Sequence, residues 1–296
     1  MIDFGIFAPA GFATDPASID RAVARLTALG HRVVIDPTAR GRTQRFSADD
    51  DERLAAIARM AAAPDVDVAM AVRGGYGWSR LLDRIDYATL STARKRWMGH
   101  SDFTAFALAA LARAGLVTYA GPMAAYDFGA EVASEFTLTQ CFGVLTNATW
   151  DVECALDGPS GVTAEGTLWG GNLSMVAHLA GTRFLPDVEG GVLFVEDVAE
   201  HPYRIERLLY QLHHAGILER QRAVLLGAFT DYALNGNDGG YDLAGAVAHL
   251  RARVRVPIYT GLPFGHIPDK LTLPVGGWCR LEARDGHARV SLSRYR

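Results

Sequence analysis

Cysteine is scarce in this sequence, and long apolar runs are absent from it. The three cysteines, Cys141, Cys154 and Cys279, have spacings that fit neither a disulfide framework nor a zinc site. No apolar stretch approaches the roughly 20 residues that a membrane helix needs. The first residues, MIDFGIFAPAG, lack the basic start and the sustained apolar run of a signal peptide. These absences predict a cytoplasmic protein without a membrane partner, in which Cys141 is a core residue.

An excess of basic residues, which a nucleic-acid-binding protein would show, is also missing. The 29 Lys and Arg residues are outnumbered by 33 Asp and Glu residues, for a net charge of -4. The compact basic cluster Arg94–Arg96 is typical of a solvated helix end. Because a phosphate-backbone binder needs a basic face, we expect no nucleic-acid partner.

The composition that remains is that of a globular protein with a substantial core. Hydrophobic residues make up 49% of the 296 residues and charged residues 21%. A chain of this length buries roughly three quarters of its unfolded surface, so it needs no disulfide or metal to fold. The length fits one large domain or two of ordinary size.

The first half alternates short β-branched runs with longer helical patterns, which predicts a parallel sheet covered on both faces. The predicted strands are Phe4–Phe7, Arg32–Ile35, Asp67–Val72, Arg96–His100 and Leu116–Tyr119. The predicted helices are Ala17–Leu29, Asp51–Ala62, Trp78–Ile85, Thr104–Ala114 and Asp127–Cys141. Asp15 and Asp50 are placed to cap two of the helices, and Gly30 and Gly115 follow the last turns of Ala17–Leu29 and Thr104–Ala114.

The pattern changes between Asn147 and Gly166, where polar and turn residues predominate. We therefore predict a domain boundary there, with an N-terminal α/β domain over 1–150 and a second domain over 160–296. The predicted elements of the second half are strands Gly191–Glu196 and Arg222–Phe229, helices Tyr203–Ala215 and Leu243–Arg253, and antiparallel strands around Leu271–Leu273, Trp278–Glu282 and Ala288–Leu292. The fold class is α/β, with a mixed and partly barrel-like sheet in the second domain.

A serine stands where a predicted strand passes into an alanine-rich helix, in the segment RWMGHSDFT. Ser101 would project from a tight turn, next to helix N–H groups that favour a developing negative charge. The pattern suits a nucleophile, although GxSxG itself is absent. Alternatively, Ser101 or Asp102 caps the helix.

Three glycines follow another predicted strand, in the segment Arg73–Gly77, whose sequence is RGGYG. Glycines at the carboxyl end of a parallel strand let backbone amides approach a ligand closely. The segment could supply half of an oxyanion hole, bind a phosphate or form a plain tight turn. The phosphate-binding motifs GxGxxG and GxxxxGK[ST] are absent.

A carboxylate and a histidine complete the set of candidate residues. Glu196 and Asp197 end a buried strand, where a carboxylate is costly unless it is paired or used; either could instead cap the next turn. His266 lies in an irregular segment, which helical or strand periodicity does not explain. Ser101, Glu196 and His266 together have the composition of an acyl-transfer triad. Metal-dependent hydrolysis is disfavoured because HExxH and similar spacings are missing.

Seven segments occur in an order that resembles the LD-carboxypeptidase family of serine peptidases, which includes the microcin C self-immunity proteins. They are FAPAG, RGGYG, GHSDFT, YAGPM, GTLWGGNLS, FVEDV followed by PYRIER, and FGH before LPVG. The resemblance implies an N-terminal α/β sandwich, a C-terminal domain that is partly a β-barrel, and an active site between them. It implies no metal and no organic cofactor.

The resemblance also implies roles for individual residues. Ser101 would be the nucleophile, His266 the base and Glu196 its carboxylate partner. Backbone N–H groups of Gly75 and Asp102 would form the oxyanion hole.

Four further residues are candidates for binding the substrate: Gly74, Tyr76, Asn172 and His100. Asn172 could equally cap the helix that follows it. His100 replaces an aromatic residue that is common before the nucleophile in the family. Arg73 could bind a terminal carboxylate or brace the glycine loop, and the sequence leaves both roles open.

The function that the resemblance implies is hydrolysis of the L-D amide of murein peptides, with release of terminal D-alanine in cell-wall recycling. A small peptide would be the partner, and a homodimer is possible. Cleavage of a microcin C-like peptide–nucleotide amide is the alternative, with Trp169 and Trp278 as candidate stacking residues. A non-catalytic α/β ligand-binding protein is the alternative from another class.

Overall fold

A computed structural model describes residues 1–295 of the chain, and its strands form two sheets. The strands are β1 (Asp3–Phe7), β2 (Arg32–Ile35), β3 (Val68–Ala71), β4 (Arg96–Gly99), β5 (Thr118–Ala120), β6 (Trp150–Ala155), β7 (Val162–Asn172), β8 (Val192–Val198), β9 (Ala223–Thr230), β10 (Ile258–Thr260), β11 (Leu273–Val275), β12 (Trp278–Arg284) and β13 (His287–Ser293).

The helices cover the two sheets and include one that lies between them. They are α1 (Ala17–Ala28), α2 (Asp50–Ala62), α3 (Tyr87–Thr92), α4 (Phe103–Ala114), α5 (Glu135–Thr146), α6 (Leu173–Leu179), α7 (Pro202–His214) and α8 (Leu243–Arg251). Helix α4 is buried at every residue of its first two turns, because it packs against β5 on one side and against β7 on the other. It ends at Gly115 in a left-handed conformation.

The first sheet has the strand order β11-β5-β4-β3-β1-β2. Strands β1 to β5 pair in parallel, and β11 adds an antiparallel edge next to β5. All four residues of β3 are buried, as a parallel sheet covered on both faces requires. Since β3 and β4 are neighbours, the loops that follow them meet at one edge of the sheet. This edge brings the segment 73–77 next to Ser101.

The second sheet has the strand order β10-β9-β8-β7-β12-β13-β6. Strands β7 to β10 pair in parallel, whereas β12 pairs antiparallel with β7 and β13, and β13 with β6. An isolated bridge between Asp157 and Thr260 joins the two ends of the strand order. The sheet is therefore mixed and curls partly closed, which confirms the predicted α/β class with its partly barrel-like sheet.

Two of the predicted helices are wrong. Trp78–Ile85 forms two 3-10 turns, Trp78–Arg80 and Leu82–Arg84, and the N–H of Trp78 donates to Asp102. The predicted helix Asp127–Cys141 is a π turn, Ala124–Phe128, followed by a separate helix α5. Ser134 caps α5 by accepting from the Thr137 N–H, so that helix begins at Glu135, eight residues later than predicted.

Smaller differences concern a cap and the segment Asn147–Gly166. The cap of α2 is Asp49, which accepts from the Glu52 N–H, so that Asp50 is the first helical residue. Asn147–Gly166 contains β6 and the first part of β7 rather than turns alone. Alternation along β6 is weak because several of its side chains face solvent, and the prediction missed it for that reason.

Glycines let β7 approach both β8 and α4 closely. A Cβ on Gly170 would lie 1.9 Å from the Phe194 carbonyl oxygen, and one on Gly171 would lie 2.3 Å from Thr104 Oγ1. The N–H of Asn172 donates to the same Thr104 oxygen at 2.9 Å. These contacts fix the end of β7 against the helix that begins behind Ser101.

Cys141, Cys154 and Cys279 are free thiols, and Cys141 is buried in the core as predicted. Among residues 1–295, no helix is both long enough and apolar enough to cross a bilayer.

Replacing Gly170 by alanine should destabilise the fold far more than the same change at Gly161. Both glycines have a positive φ, which costs an alanine roughly 1–2 kcal/mol. A Cβ on Gly161 meets nothing within 4 Å, whereas one on Gly170 overlaps a backbone oxygen of β8. We expect Gly170→Ala to lose about 3 kcal/mol more than Gly161→Ala, or not to fold. Urea unfolding measures this, and equal losses would contradict the close approach.

Candidate active site

Ser101 lies in the turn between β4 and α4 with a φ of 64°. A positive φ is unusual for a residue with a Cβ, and it persists only where the surrounding structure enforces it. A Cβ on Gly74 would lie 2.7 Å from the Ser101 Cβ and 3.0 Å from its Oγ. The loop after β3 therefore passes directly over the serine, and residue 74 must be glycine for that approach.

Asp102 ties the serine turn to this glycine loop. Its Oδ2 accepts from the Trp78 N–H at 3.0 Å, and its side chain makes no capping hydrogen bond to α4. Asp102 therefore stands at the N-cap position of α4, but its carboxylate binds the glycine loop instead of the helix N–H groups. Burial raises the pKa of Asp102 to about 6, and hydrogen bonds from backbone N–H groups of the loop oppose that rise.

Two backbone N–H groups beside Ser101 have no acceptor in the described part of the chain. Neither the N–H of Gly75 nor that of Asp102 donates to another group in the part of the chain described, residues 1–295. Gly75 has a φ of 97°, which its lack of a Cβ permits. The arrangement leaves both donors available to an oxygen atom near Ser101.

Glu196 and His266 form a hydrogen-bonded pair from distant parts of the sequence. Glu196 lies on β8, has no exposed surface, and its Oε2 is 2.8 Å from His266 Nδ1. The register of β8 with β9 shifts between Val195 and Asp197, at the position of Glu196. Burial raises the pKa of Glu196, and the bond to His266 opposes that rise. A positive charge on His266 would thus be stabilised by a carboxylate that has no solvent contact.

Asp197 has different partners from its neighbour Glu196. Its Oδ2 accepts from the Ser174 N–H at 2.9 Å and from the Ser174 hydroxyl at 2.7 Å. Asn172 donates to Asp197 at 2.7 Å and to Glu196 at 3.4 Å, and it also caps α6 by accepting from the Met175 N–H. Asn172 therefore caps α6, which is the alternative role, and its amide supports the carboxylate pair, whereas its role in binding the substrate stays a prediction.

His100 is a buried, neutral neighbour of this pair. Its ring centroid is 4.6 Å from that of His266 and 5.1 Å from that of Phe264. Its Nε2 is 3.8 Å from Glu196 Oε2 and has no hydrogen-bond partner among residues 1–295. Burial holds the pKa of His100 well below its ordinary value, with smaller contributions from His266 and Lys270. A neutral ring there does not repel a positive charge on His266.

Ligand atoms of His100, Glu196 and His266 lie within 4.8 Å of one another. Two histidines and a glutamate are a donor set that zinc accepts. The hydrogen bond of Glu196 with His266 already accounts for the placement of two of the three. Because these three residues come from separate segments, no spacing in the sequence predicts that they lie together.

One cavity of about 620 Å³ contains the serine and the histidine. Its lining includes Arg73, Gly74, Gly75, His100, Ser101 and His266. Glu196 and Asn172 lie behind this lining, and Tyr76 lies outside it, 6.0 Å from the Phe46 ring and partly exposed. The candidate stacking residues Trp169 and Trp278 do not line the cavity. Trp169 is buried against Gln221, and Trp278 packs under Arg294.

Sequence reasoning missed a buried ion pair in the cavity wall. Lys270 Nζ lies 2.5 Å from Asp127 Oδ1, and both side chains are almost fully buried. The other oxygen of Asp127 accepts from the Met123 N–H at 2.7 Å. The available signal was Lys270 itself, four residues after His266 in a segment already singled out.

Asp102→Asn should change how stability depends on pH. The pKa of Asp102, about 6, lies above its ordinary value of 3.8. The folded protein therefore holds the proton to higher pH, and wild-type stability is lost as pH rises through this interval. Asparagine keeps an acceptor for the Trp78 N–H but does not ionise. From pH 4 to pH 7, the unfolding free energy of the Asp102→Asn variant should rise relative to that of the wild type by up to about 3 kcal/mol. Urea unfolding at both pH values measures this, and a constant difference would contradict the raised pKa.

Comparison with known proteins identifies the relatives of this chain. Residues 4–121 match the LD-carboxypeptidase N-terminal domain, and residues 165–281 match the LD-carboxypeptidase C-terminal domain. A crystal structure of muramoyltetrapeptide carboxypeptidase from Oxalobacter formigenes is 44% identical, covers 99% of both chains and superposes with a TM-score of 0.94. A probable murein peptide carboxypeptidase of Bacillus subtilis is 30% identical over 92% of this chain and 86% of its own.

The microcin C7 self-immunity protein MccF shares the fold. It is 22% identical, with a TM-score of 0.88 over 99% of this chain and 96% of its own. Family models and relatives together span nearly the whole sequence, in agreement with the resemblance of its motifs. The chain is a member of the LD-carboxypeptidase family of serine hydrolases.

Proposed function

We propose that this protein is a serine carboxypeptidase that releases terminal D-alanine from murein tetrapeptide by hydrolysing an L-D amide. One observation carries the proposal: Ser101 stands on an enforced turn in the same cavity as His266, whose ring is held by a fully buried carboxylate. We infer the substrate from a relative, the muramoyltetrapeptide carboxypeptidase of Oxalobacter formigenes, which is 44% identical to this chain.

The proton route follows from the bond between His266 and Glu196. With Nδ1 donating to Glu196, the neutral ring has its free lone pair on Nε2, which acts as the base. His266 takes the proton of Ser101 as the hydroxyl attacks the carbonyl carbon, and later gives it to the leaving amine. Glu196 stabilises the charged ring in between, and His100, neutral beside it, does not oppose that charge.

The oxyanion of the tetrahedral intermediate is held by the N–H groups of Gly75 and Asp102. Both are without an acceptor among residues 1–295, and both flank Ser101. Preorganised donors of this kind typically contribute roughly 3–4 kcal/mol each to transition-state stabilisation. Asp102 serves twice, since its carboxylate keeps the glycine loop in place through Trp78.

The cavity suits a short peptide better than a peptide–nucleotide. A volume of about 620 Å³ lies within the range of small-molecule sites. A nucleotide base calls for a stacking ring, and neither Trp169 nor Trp278 offers one there; the ring of Tyr126, which does line the cavity, lies against Arg73. A non-catalytic binding protein would have no use for a serine in a strained turn opposite a carboxylate-bound histidine. The cytoplasmic location and the homodimer stay predictions.

Ser101→Ala should abolish turnover and leave the fold unchanged, because only the attacking oxygen is removed. We expect D-alanine release from murein tetrapeptide by the wild type, and a loss of at least about 1000-fold in the variant. Mass spectrometry of the products measures both. A variant that keeps more than a few per cent of the rate would exclude Ser101 as the nucleophile.

Glu196→Gln and Asp197→Asn form a matched pair of isosteric changes. Glutamine at 196 loses the charge that orients His266, so kcat should fall by roughly 100- to 10,000-fold. Asparagine at 197 weakens the start of α6 at Ser174, which should lower Tm while kcat stays within about tenfold of the wild type. The reverse ranking of the two kcat values would make Asp197 the partner of the histidine.

A further inference from the structure

Arg73 is a cation of the cavity wall that has no carboxylate partner among the described residues. It follows β3 directly and precedes the two glycines of the loop over Ser101. Within residues 1–295 it belongs to no ion pair, whereas Arg53, Arg80 and Arg84 each do. Its position next to the proposed nucleophile makes its free charge available to a substrate.

The hydrogen bonds of Arg73 leave most of its donors unused. Nη1 donates to the Phe12 carbonyl oxygen at 3.3 Å, and the guanidinium carbon lies 5.5 Å from the ring centroid of Tyr126. The Nε–H is buried and has no partner in the described part of the chain. A buried donor without an acceptor costs about 1–3 kcal/mol, and an anion in the cavity would remove that cost.

The second cation of the cavity wall is already neutralised. Lys270 pairs with Asp127 at 2.5 Å, and both are buried. Asp127 in turn accepts from the Met123 N–H, so the pair is locked in place. An anionic group that enters the cavity therefore meets Arg73 as the available positive charge.

The placement of Arg73 and Ser101 around the glycine loop suits the C-terminal residue of a peptide. In such a residue the carboxylate carbon is three bonds from the scissile carbonyl carbon, which is within about 4 Å. A Cβ on Gly75 would lie 3.6 Å from Arg73 Nη2, and a Cβ on Gly74 would lie 3.0 Å from Ser101 Oγ. The guanidinium and the hydroxyl thus flank two consecutive loop residues.

We propose that Arg73 binds the terminal α-carboxylate of the substrate and so restricts cleavage to the last amide of the peptide. The inference rests on the proposed function, whose substrate ends in a free carboxylate. A guanidinium offers two parallel N–H groups to a carboxylate, and the ring of Tyr126 supports one face of it. Lysine cannot reproduce that geometry.

The test compares two substrates that differ only at the carboxylate: murein tetrapeptide ending in D-alanine, and the same peptide ending in D-alaninamide. Arg73→Met keeps an unbranched apolar stem and removes the guanidinium with its charge. It should lower kcat/KM for the free acid by about 100-fold and for the amide by less than about threefold. Arg73→Lys should recover only part of the loss. Arg42→Met, at an exposed arginine over Phe12 outside the cavity, is the matched control and should match the wild type on both substrates.

If Arg73→Met lowers kcat/KM equally for the acid and the amide, Arg73 only braces the glycine loop. If kcat/KM is unchanged for both, Arg73 has no role in the reaction. Either result overturns the proposal. Calorimetric binding of both peptides to Ser101→Ala protein, with and without Arg73→Met, tests it independently of turnover. A preference for the acid that disappears with Arg73 supports the proposal even if the wild type hydrolyses neither peptide. The absence of hydrolysis by the wild type would overturn only the proposed function.

Discussion

A carboxylate without solvent contact is the constraint on which the candidate site depends. Moving an ionised carboxylate out of water costs several kcal/mol unless donors surround it. Glu196 receives one donor from His266 and another from Asn172. These residues come from β8, the loop before β11 and the end of β7, so the three segments must meet at one point. The bulge in β8 and the glycines of β7 allow these segments to come together.

The same junction aligns the two halves of the site. Thr104, on the first turn of α4, accepts from the Asn172 N–H and touches the position of Gly171. Ser101 begins the turn into α4, and Asn172 contacts Glu196. A single buried helix therefore carries the serine at its start and docks the strand that supports the carboxylate, which keeps the distance between the two sheets nearly fixed.

Much of the site could be predicted because its parts lie at strand ends. Apolar runs located β3, β4 and β8, and the residues that follow or end them, Ser101 and Glu196 among them, stood out against that pattern. The Lys270–Asp127 pair could not be found in this way, since it joins segments 143 residues apart with no shared periodicity. The helix predicted over 127–141 failed for a related reason: tertiary bonds of Asp127 and Ser134 outweigh local helical preference.

The edge strand β11 was predicted as a strand, but its place in the first sheet was not foreseen. Its register with β5 runs from Leu273 opposite Ala120 to Val275 opposite Thr118, and Tyr119 bonds the Tyr295 carbonyl on the same side. During synthesis, the outer edge of the first sheet at β5 stays uncovered until β11, from the second half of the chain, has been made. Until then β5 offers unpaired backbone groups to any passing strand. The first sheet of this protein is therefore complete only after residues 273–275 have been translated.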